Sequence, residues 1–515
     1  MGKRTLKEAL NRTALKLADK TVLSFVRQGK VETEMTYGRL EADTNRVAHE
    51  FLERGVAKGD RVIFLLDKCL LSVLAHLAVQ KIGGIGVPLN PGFKRDEVAY
   101  LLSDTRASLV LCGPAQAELV RNVDPHARIL VADPQAPYEA VDFFRAASAA
   151  PPAVEVKPED PALIIYTSGT TGQPKGAVLT QQNLAYDAEN IITFWEITES
   201  DILCHALPLF HVHGLCFALH TALIAGSHVL FLDAFNAETV NAILAQGISG
   251  YTPSVFMAVP SMYAKMMTPL DGGRFNFEHM RLWTSGSAPL LPKDFEKIRN
   301  TFGREPVERE GMTETGMNFS NPLRGARKPG SIGIPLPGLQ VRIVDPKTFQ
   351  DVAPGQTGEF WLKGPAITPG YWQKPEETAK VFVDGWFRTG DLGRADEAGY
   401  HYLTDRIKHI IISGGENISP KEVESTINRM DGVLESSVVG IPDEKWGEKV
   451  VAAVVVKRGF TLDPATVRAF CKKHLLDWKC PKAVALVGEL PKNTMGKVLK
   501  EEIKRCLEGM KLPEM

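Results

Sequence analysis

The chain has no surplus of charge, no paired-cysteine motif and no long apolar run, and each absence removes a class of function. With 60 basic against 61 acidic side chains the formal net charge is −1, so there is no basic field to hold nucleic acid or an anionic membrane surface. The seven cysteines, at positions 69, 112, 204, 216, 471, 480 and 506, are odd in number, scattered, and nowhere in a Cys-x-x-Cys spacing. That argues against a disulfide framework or a zinc site and fits a reducing compartment. The start, Met1-Gly-Lys-Arg-Thr-Leu-Lys-Glu, lacks an apolar segment of signal-peptide length, and Leu6 stands where myristoylation wants a hydroxyl. The closing Lys-Leu-Pro-Glu-Met is no lipidation or peroxisomal signal. No stretch has membrane-spanning length and apolarity. The expectation is a cytoplasmic protein with no nucleic-acid partner and no membrane span.

What is present describes a globular chain of more than one domain. At 515 residues, 44% hydrophobic and 23% charged, it is too long for one ordinary core. Arg61-Val-Ile-Phe-Leu-Leu reads as a buried strand, Leu71 to Lys81 as a helix and Ile85-Gly-Val-Pro-Leu as the next strand, a βαβ unit whose alternation recurs through residue 260. Ala146 to Glu159, rich in Ala and Pro, reads as a connector. From about residue 335 to 405 short alternating segments such as Gln340-Val-Arg-Ile-Val and Gly358-Glu-Phe-Trp-Leu predict a small antiparallel sheet or barrel. After Arg406 the pattern predicts a helix over Pro420–Met430, strands over Glu435–Val439 and Val450–Val456, and a helix over Pro464–His474. The main boundary is expected near Asp405–Lys408.

The stretch Tyr166-Thr-Ser-Gly-Thr-Thr-Gly-Gln-Pro-Lys-Gly176 carries the most chemistry. It follows a buried-strand pattern, Pro161-Ala-Leu-Ile-Ile-Tyr166, and its glycines fall at 169, 172 and 176, not in the Gly-x-x-x-x-Gly-Lys spacing of a P-loop. Glycine lets backbone N–H groups come close to phosphate oxygens, and Thr167, Ser168, Thr170, Thr171 and Lys175 add side-chain donors and one positive charge. A polar surface turn is the plain alternative for any isolated loop of this composition.

This stretch resembles the signature of the AMP-forming adenylating superfamily, which includes acyl- and aryl-CoA synthetases, luciferases and peptide-synthetase adenylation domains. The resemblance runs from about residue 30 to the C-terminus through several motifs in the family's order, and it is closest to malonyl-CoA synthetases. It implies an α/β fold: a large N-terminal domain (residues 1–405) of stacked mixed sheets with flanking helices and a small β-barrel-like part, binding ATP and the acid. A small mobile α+β lid (residues 406–515) follows, hinged near Lys408.

Residue by residue, the resemblance implies a nucleotide site made of Thr167, Ser168, Gly169, Thr170, Thr171 and Lys175, with Ser287, Ala288 and Pro289 from Ser285-Gly-Ser-Ala-Pro-Leu290. In Gly311-Met-Thr-Glu-Thr315, Thr313 would meet a phosphate oxygen and Glu314 a magnesium ion, which needs few protein ligands beside a triphosphate. Asp391 in Thr389-Gly-Asp-Leu-Gly393 would hold the ribose hydroxyls, and Arg406 is a good phosphate or ribose ligand, being permanently charged and multidentate. Lys497, in Leu490-Pro-Lys-Asn-Thr-Met-Gly-Lys, would offset the charge that develops during adenylation. Ser413, Gly414 and Gly415 would line the path of the CoA thiol. The implied co-substrates are ATP with Mg2+, CoA and a carboxylic acid, with no tightly bound metal; a homodimer is compatible with all of this. Two positions depart from the family: Glu310 where many relatives have Tyr against adenine, and His409 where Asp often follows the hinge lysine.

The acid is the open question. Pro208-Leu-Phe-His-Val-His-Gly-Leu215 and the stretch from Gly311 to Pro322 look most like malonyl- and, more loosely, oxalyl-CoA synthetases. A second carboxylate would need a buried cation, and His211, His213 and Arg281 are the candidates, Arg281 reading equally as a structural arginine ahead of a generic strand; His211 is also counted beside Lys497, Thr313 and Glu314 as catalytic. Against malonate, Ala234 stands where some malonate enzymes carry a basic residue before a Phe-x-x-Glu. Gly286 would let the acid lie close to the backbone, and Met257, Val259, Met312 and Met317 would suit a fatty or branched chain. Two other functional classes stand beside the CoA ligase: a module that loads a carrier protein, and a non-catalytic nucleotide binder. Retention of Lys175, Glu314, Asp391, Arg406 and Lys497 argues against the second.

Overall fold

A computed structural model describes residues 3–167, 173–270, 275–413, 416–443, 446–493 and 496–510. The chain divides into two compact units, one of Met1–Gln340 with Leu362–Phe387 and one of Val341–Trp361 with Arg388–Met515.

The larger unit holds two mixed sheets. One has seven strands in the order Gly370–Tyr371, Lys175–Thr180, Pro161–Thr167, Ile85–Pro88, Arg61–Leu65, Leu109–Cys112 and Ile129–Val131. Its parallel members are continuous apolar runs because both faces are covered; Val62, Ile63, Phe64 and Leu65 are all buried. The βαβ reading is correct, and the helix Leu70–Lys81 is buried along its whole length, its polar His76, Gln80 and Lys81 each meeting a partner. The second sheet has nine strands, with Thr21–Arg27, His228–Leu232, Ile202–His205, Val255–Ala258, Leu282–Ser285 and Val307–Met312 forming a parallel run. The direction reverses where Val307–Met312 turns back antiparallel into Gly316–Ser320. Carboxyl ends of parallel strands are where open α/β sheets bind ligands. Here those ends lead into Pro208–His211, Gly286–Ser287 and Thr313–Thr315.

The antiparallel pattern expected from residues 335 to 405 takes the form of the strands Gln340–Val344, Gly358–Lys363, Trp386–Ala395 and His401–Arg406, most of whose residues fall in the smaller unit. Its second sheet is centred on Gly447–Val456. Val450, Ala452 and Val454 pack with the helices Pro420–Ile427 and Pro464–His474, while Val451, Ala453 and Val455 pack with Ile503 and Leu507 of the helix Lys500–Glu508. Alternate side chains of one strand thus serve two cores. The strand Val433–Asp443 is longer than its apolar segment suggested, because it pairs with Gly447–Val456 along nearly its full length.

Candidate active site

The stretch Tyr166–Gly176, expected to grip phosphate, has stems paired as an antiparallel hairpin, with Tyr166 opposite Gly176 and Thr167 opposite Lys175. Ser168, Gly169, Thr170 and Thr171 lie outside the described residues. The stems are held from one face of the helix Arg95–Thr105, where Tyr100 and Asp104 stand one turn apart. The Tyr100 hydroxyl donates to the Pro174 carbonyl at 2.8 Å, and the Tyr166 hydroxyl donates to Asp104 at 2.6 Å. Lys374 also reaches Asp104 at 3.2 Å, and the Trp372 N–H donates to the Gly176 carbonyl at 2.7 Å. Lys175 itself is ion-paired with Glu377 and lies over the Tyr371 ring.

The turn carrying Thr313 and Glu314 is pinned from behind. Glu314 is buried, its Oε1 accepts from the Tyr371 hydroxyl at 3.0 Å, and its carbonyl accepts from the Thr368 N–H at 2.7 Å. Three residues on, the Met317 N–H donates to Asp187 at 2.9 Å. Asp187 comes from the helix Gln181–Phe194, which Thr180 caps by accepting from the Asn183 N–H. Burial pushes the Asp187 carboxyl up to about 7, partly offset by the Met317 hydrogen bond and the charge of Arg309. Half-buried Thr313 and buried Asp187 line one small cavity with Cys216, Phe217 and Gly316.

The third part of the site is a cation that sequence reading missed. Arg309 is 2% exposed, and none of its three guanidinium nitrogens has a hydrogen-bond partner among the described residues. Its face covers the Phe217 ring at 5.1 Å. Burial pulls its ionisation down to about 10, against the pull of Glu310 and Asp187, so it remains a cation at neutral pH. A Cβ on Gly286 would lie 2.6 Å from the guanidinium, so glycine is what allows this arginine to lie there. Beside them Ser287 adopts a left-handed φ of +67°, and its hydroxyl meets His213 Nδ1 at 3.2 Å. His213 is buried with Nε2 lacking a partner among the described residues, and burial followed by Arg309 keeps it neutral. An available signal was strand alternation: Arg309 shares a face with Val307, a core position.

Other expected residues are placed differently. Arg281 is engaged within the protein. Its Nε and Nη2 both bond Asp201 at 2.6 Å, and it donates to the Trp195 and Glu196 carbonyls. Its donors are taken up in tying the helix end near Trp195 to the sheet. His211 is half-buried, with the Phe210 ring tilted against it at a centroid distance of 4.7 Å, and burial pulls it down to about 4. It is therefore neutral at physiological pH and brings no positive charge. His211 and His213 flank the start of a π-helix over His213–His220, a rare form that collects at functional sites. Met257 and Met317 are buried, Met257 beside Thr284 in the parallel run, and Met312 is half-buried. Ala288 is half-buried and Pro289 exposed. Glu310 accepts from Asn318 at 3.1 Å.

In the smaller unit Asp391 and Arg406 face each other on paired strands and are joined at 2.6 Å. The Thr389 hydroxyl steadies the turn, accepting from the Asp391 N–H at 3.0 Å. Lys408 sits in the short turn Ile407–His409 and is exposed. His409 is held down to about 3 by burial and then by Lys500 and Lys408, so the family's aspartate is replaced by a neutral group. Ser413 is buried and pairs with Glu416 and Gly447, while Gly414 and Gly415 lie outside the described residues. Lys497 is exposed, its backbone exchanging hydrogen bonds with Asn493 at 2.9 Å.

Among the described residues no group of three or more His, Cys, Asp and Glu side chains is placed to hold a metal ion, and no helix is long and apolar enough to cross a membrane.

Residues 10–372 match the AMP-binding enzyme family and residues 422–497 the AMP-binding enzyme C-terminal domain. The chain is 34% identical to the mitochondrial malonate–CoA ligase of Bos taurus, over 92% of this chain and 86% of that one. It is 32% identical to a long-chain-fatty-acid–CoA ligase of Bacillus subtilis, over 97% and 94%. An ATP-bound crystal structure of MatB from Rhodopseudomonas palustris superposes with a TM-score of 0.92 at 36% identity, covering 98% of this chain and 99% of that one. The chain therefore belongs to the AMP-binding enzyme family, among its AMP-forming acid–CoA ligases.

Proposed function

We propose that this ligase activates a short dicarboxylic acid of the malonate type. The observation that carries the reading is the Arg309 guanidinium, buried and without a hydrogen-bond acceptor among the described residues. A buried charge without a partner costs several kcal/mol, and a ligand carboxylate repays that cost with bidentate geometry. The neutral His213 Nε2 and the close approach at Gly286 supply a further polar atom and the space. A fatty acid would leave all of these unsatisfied, and Met257 and Met317, its proposed wall, are packed to 2% and 3% exposure.

In this reading one carboxylate rests on Arg309 and the other attacks the α-phosphorus of ATP. The new bond is the acyl–phosphate oxygen link, and pyrophosphate leaves. The loop hydroxyls Thr167, Ser168, Thr170 and Thr171, with Gly169 and Lys175, hold the phosphates. Ser287, Ala288 and Pro289 border the base, and Asp391 with Arg406 holds the ribose. Magnesium fits at Glu314: one oxygen is fixed by Tyr371, and the other has no hydrogen bond among the described residues. A bound magnesium ion would neutralise phosphate charge there. Lys497 offsets charge on the reacting oxygens. The second half-reaction is attack of the CoA thiol on the acyl carbon past Ser413, Gly414 and Gly415, with AMP leaving. Residues 406–515, moving about Lys408, would exchange the two half-reactions.

The test is AMP release with ATP, magnesium and CoA across oxalate, malonate, methylmalonate, butyrate, octanoate, palmitate and benzoate. CoA-dependent turnover on a dicarboxylate supports the reading. Turnover confined to a monocarboxylate overturns it in favour of an apolar acid, and pyrophosphate exchange without turnover on CoA favours loading of a separate carrier protein.

A further inference from the structure

Lys175 is the cation of the phosphate loop, and it is already matched by a carboxylate of its own chain. It opens the strand Lys175–Thr180, with its side chain 14% exposed, and its ammonium is ion-paired with Glu377 Oε2, a residue 202 positions away. Glu377 rides on the short helix Pro375–Val381, which follows Tyr371, and Tyr371 pairs directly with Ala177 of the same strand as Lys175. The Tyr371 N–H donates to the Thr378 hydroxyl at 2.9 Å, which ties this helix to the strand edge. The other oxygen of Glu377 accepts from Lys380 at 2.6 Å. The hydrogen bonds from Lys175 and then Lys380 hold the Glu377 carboxyl down to about 2, so it is an anion throughout the working range.

Resting on the reading of Lys175 as a phosphate ligand, we infer that Glu377 is a built-in competitor for the polyphosphate and sets the affinity for ATP and pyrophosphate. For Lys175 to bind a phosphate oxygen it must release the Glu377 carboxylate, or share its donors with it. Lys380 makes the exchange inexpensive, because Glu377 keeps one cation when Lys175 leaves. The competition applies to ligands that reach the loop lysine through a pyrophosphate or triphosphate tail. AMP, which lacks that tail, does not enter it, so the product nucleotide leaves without regard to this pair.

The experiment is calorimetric binding of ATP, pyrophosphate and AMP to the full chain as wild type, Glu377→Gln, Lys175→Met and the double variant. Partly exposed ion pairs are weak, so Glu377→Gln should tighten ATP and pyrophosphate only modestly, roughly two- to fivefold. AMP affinity should not move, and the tightening should vanish in the Lys175→Met background. Unchanged or weaker ATP binding in Glu377→Gln overturns the inference, as does a gain that persists without Lys175 or extends equally to AMP. If Lys175→Met binds ATP and pyrophosphate as wild type does, the phosphate-ligand reading itself falls. If Lys175→Met weakens both while Glu377→Gln tightens neither, the inference about Glu377 alone falls.

Discussion

The Cβ that Gly286 lacks would stand 2.6 Å from the guanidinium of Arg309. These two residues, on neighbouring parallel strands or their extensions, define a charged floor that neither could make alone. Glycine gives the room, and the arginine fills it without a hydrogen-bonded protein partner among the described residues.

Replacing Arg309 with Met should lower kcat/KM for malonate by roughly 30- to 5000-fold, the loss expected when one member of a buried charge pair is removed at about 2–5 kcal/mol. Butyrate turnover should not fall. The melting temperature should hold or rise, because an unpaired buried charge gives way to an apolar side chain of similar length. Steady-state kinetics on both acids and a thermal melt check this. Equal loss on malonate and butyrate would remove Arg309 from acid selection.

Arg281→Met should behave in the opposite way. It leaves Asp201, 4% exposed, without its bidentate partner. The arginine is partly solvated, so the loss should be about 2 kcal/mol, below the full cost of breaking a buried pair. The melt should fall while the KM for the acid stays within about twofold at temperatures where the protein is folded.

Asp187 makes stability depend on pH. Its carboxyl titrates near 7 in the folded chain, against about 3.9 when unfolded. Between those values the folded state holds a proton that the unfolded state has lost, so stability falls as pH rises from about 4 to about 7 and is flat above. Asp187→Asn keeps an acceptor for the Met317 N–H and removes the titration. Its melting curve should lose that slope and should exceed wild type most at about pH 8, by up to a few kcal/mol. A parallel slope in both proteins would show that Asp187 is not the group responsible.

Lys497→Ala should slow acyl-AMP formation by about 10²–10³-fold, the usual cost of a group that stabilises developing charge. Thioester formation from supplied acyl-AMP should be largely spared. Rapid-quench measurement of each half-reaction separates the two, and equal loss of both would sink the role.

What the sequence determined by itself is what neighbours along the chain can report. The phosphate hairpin from Pro161 to Thr180, the buried helix Leu70–Lys81 and the turn at Thr313–Glu314 all follow from local alternation, glycine placement and motif order. The family was legible for the same reason, because its motifs are contiguous. Partners brought together by folding were not legible. Arg281 reads equally as a substrate cation or a structural arginine until Asp201, 80 positions away, is found bonded to its Nε and Nη2. Lys175 reads as unencumbered until the strand pairing of Tyr371 brings Glu377 beside it. Arg309 sat unremarked next to a quoted motif, since its importance lies in acceptors that are absent around it. A charge's worth depends on what surrounds it in three dimensions, through desolvation and pairing, and only the tertiary structure decides that.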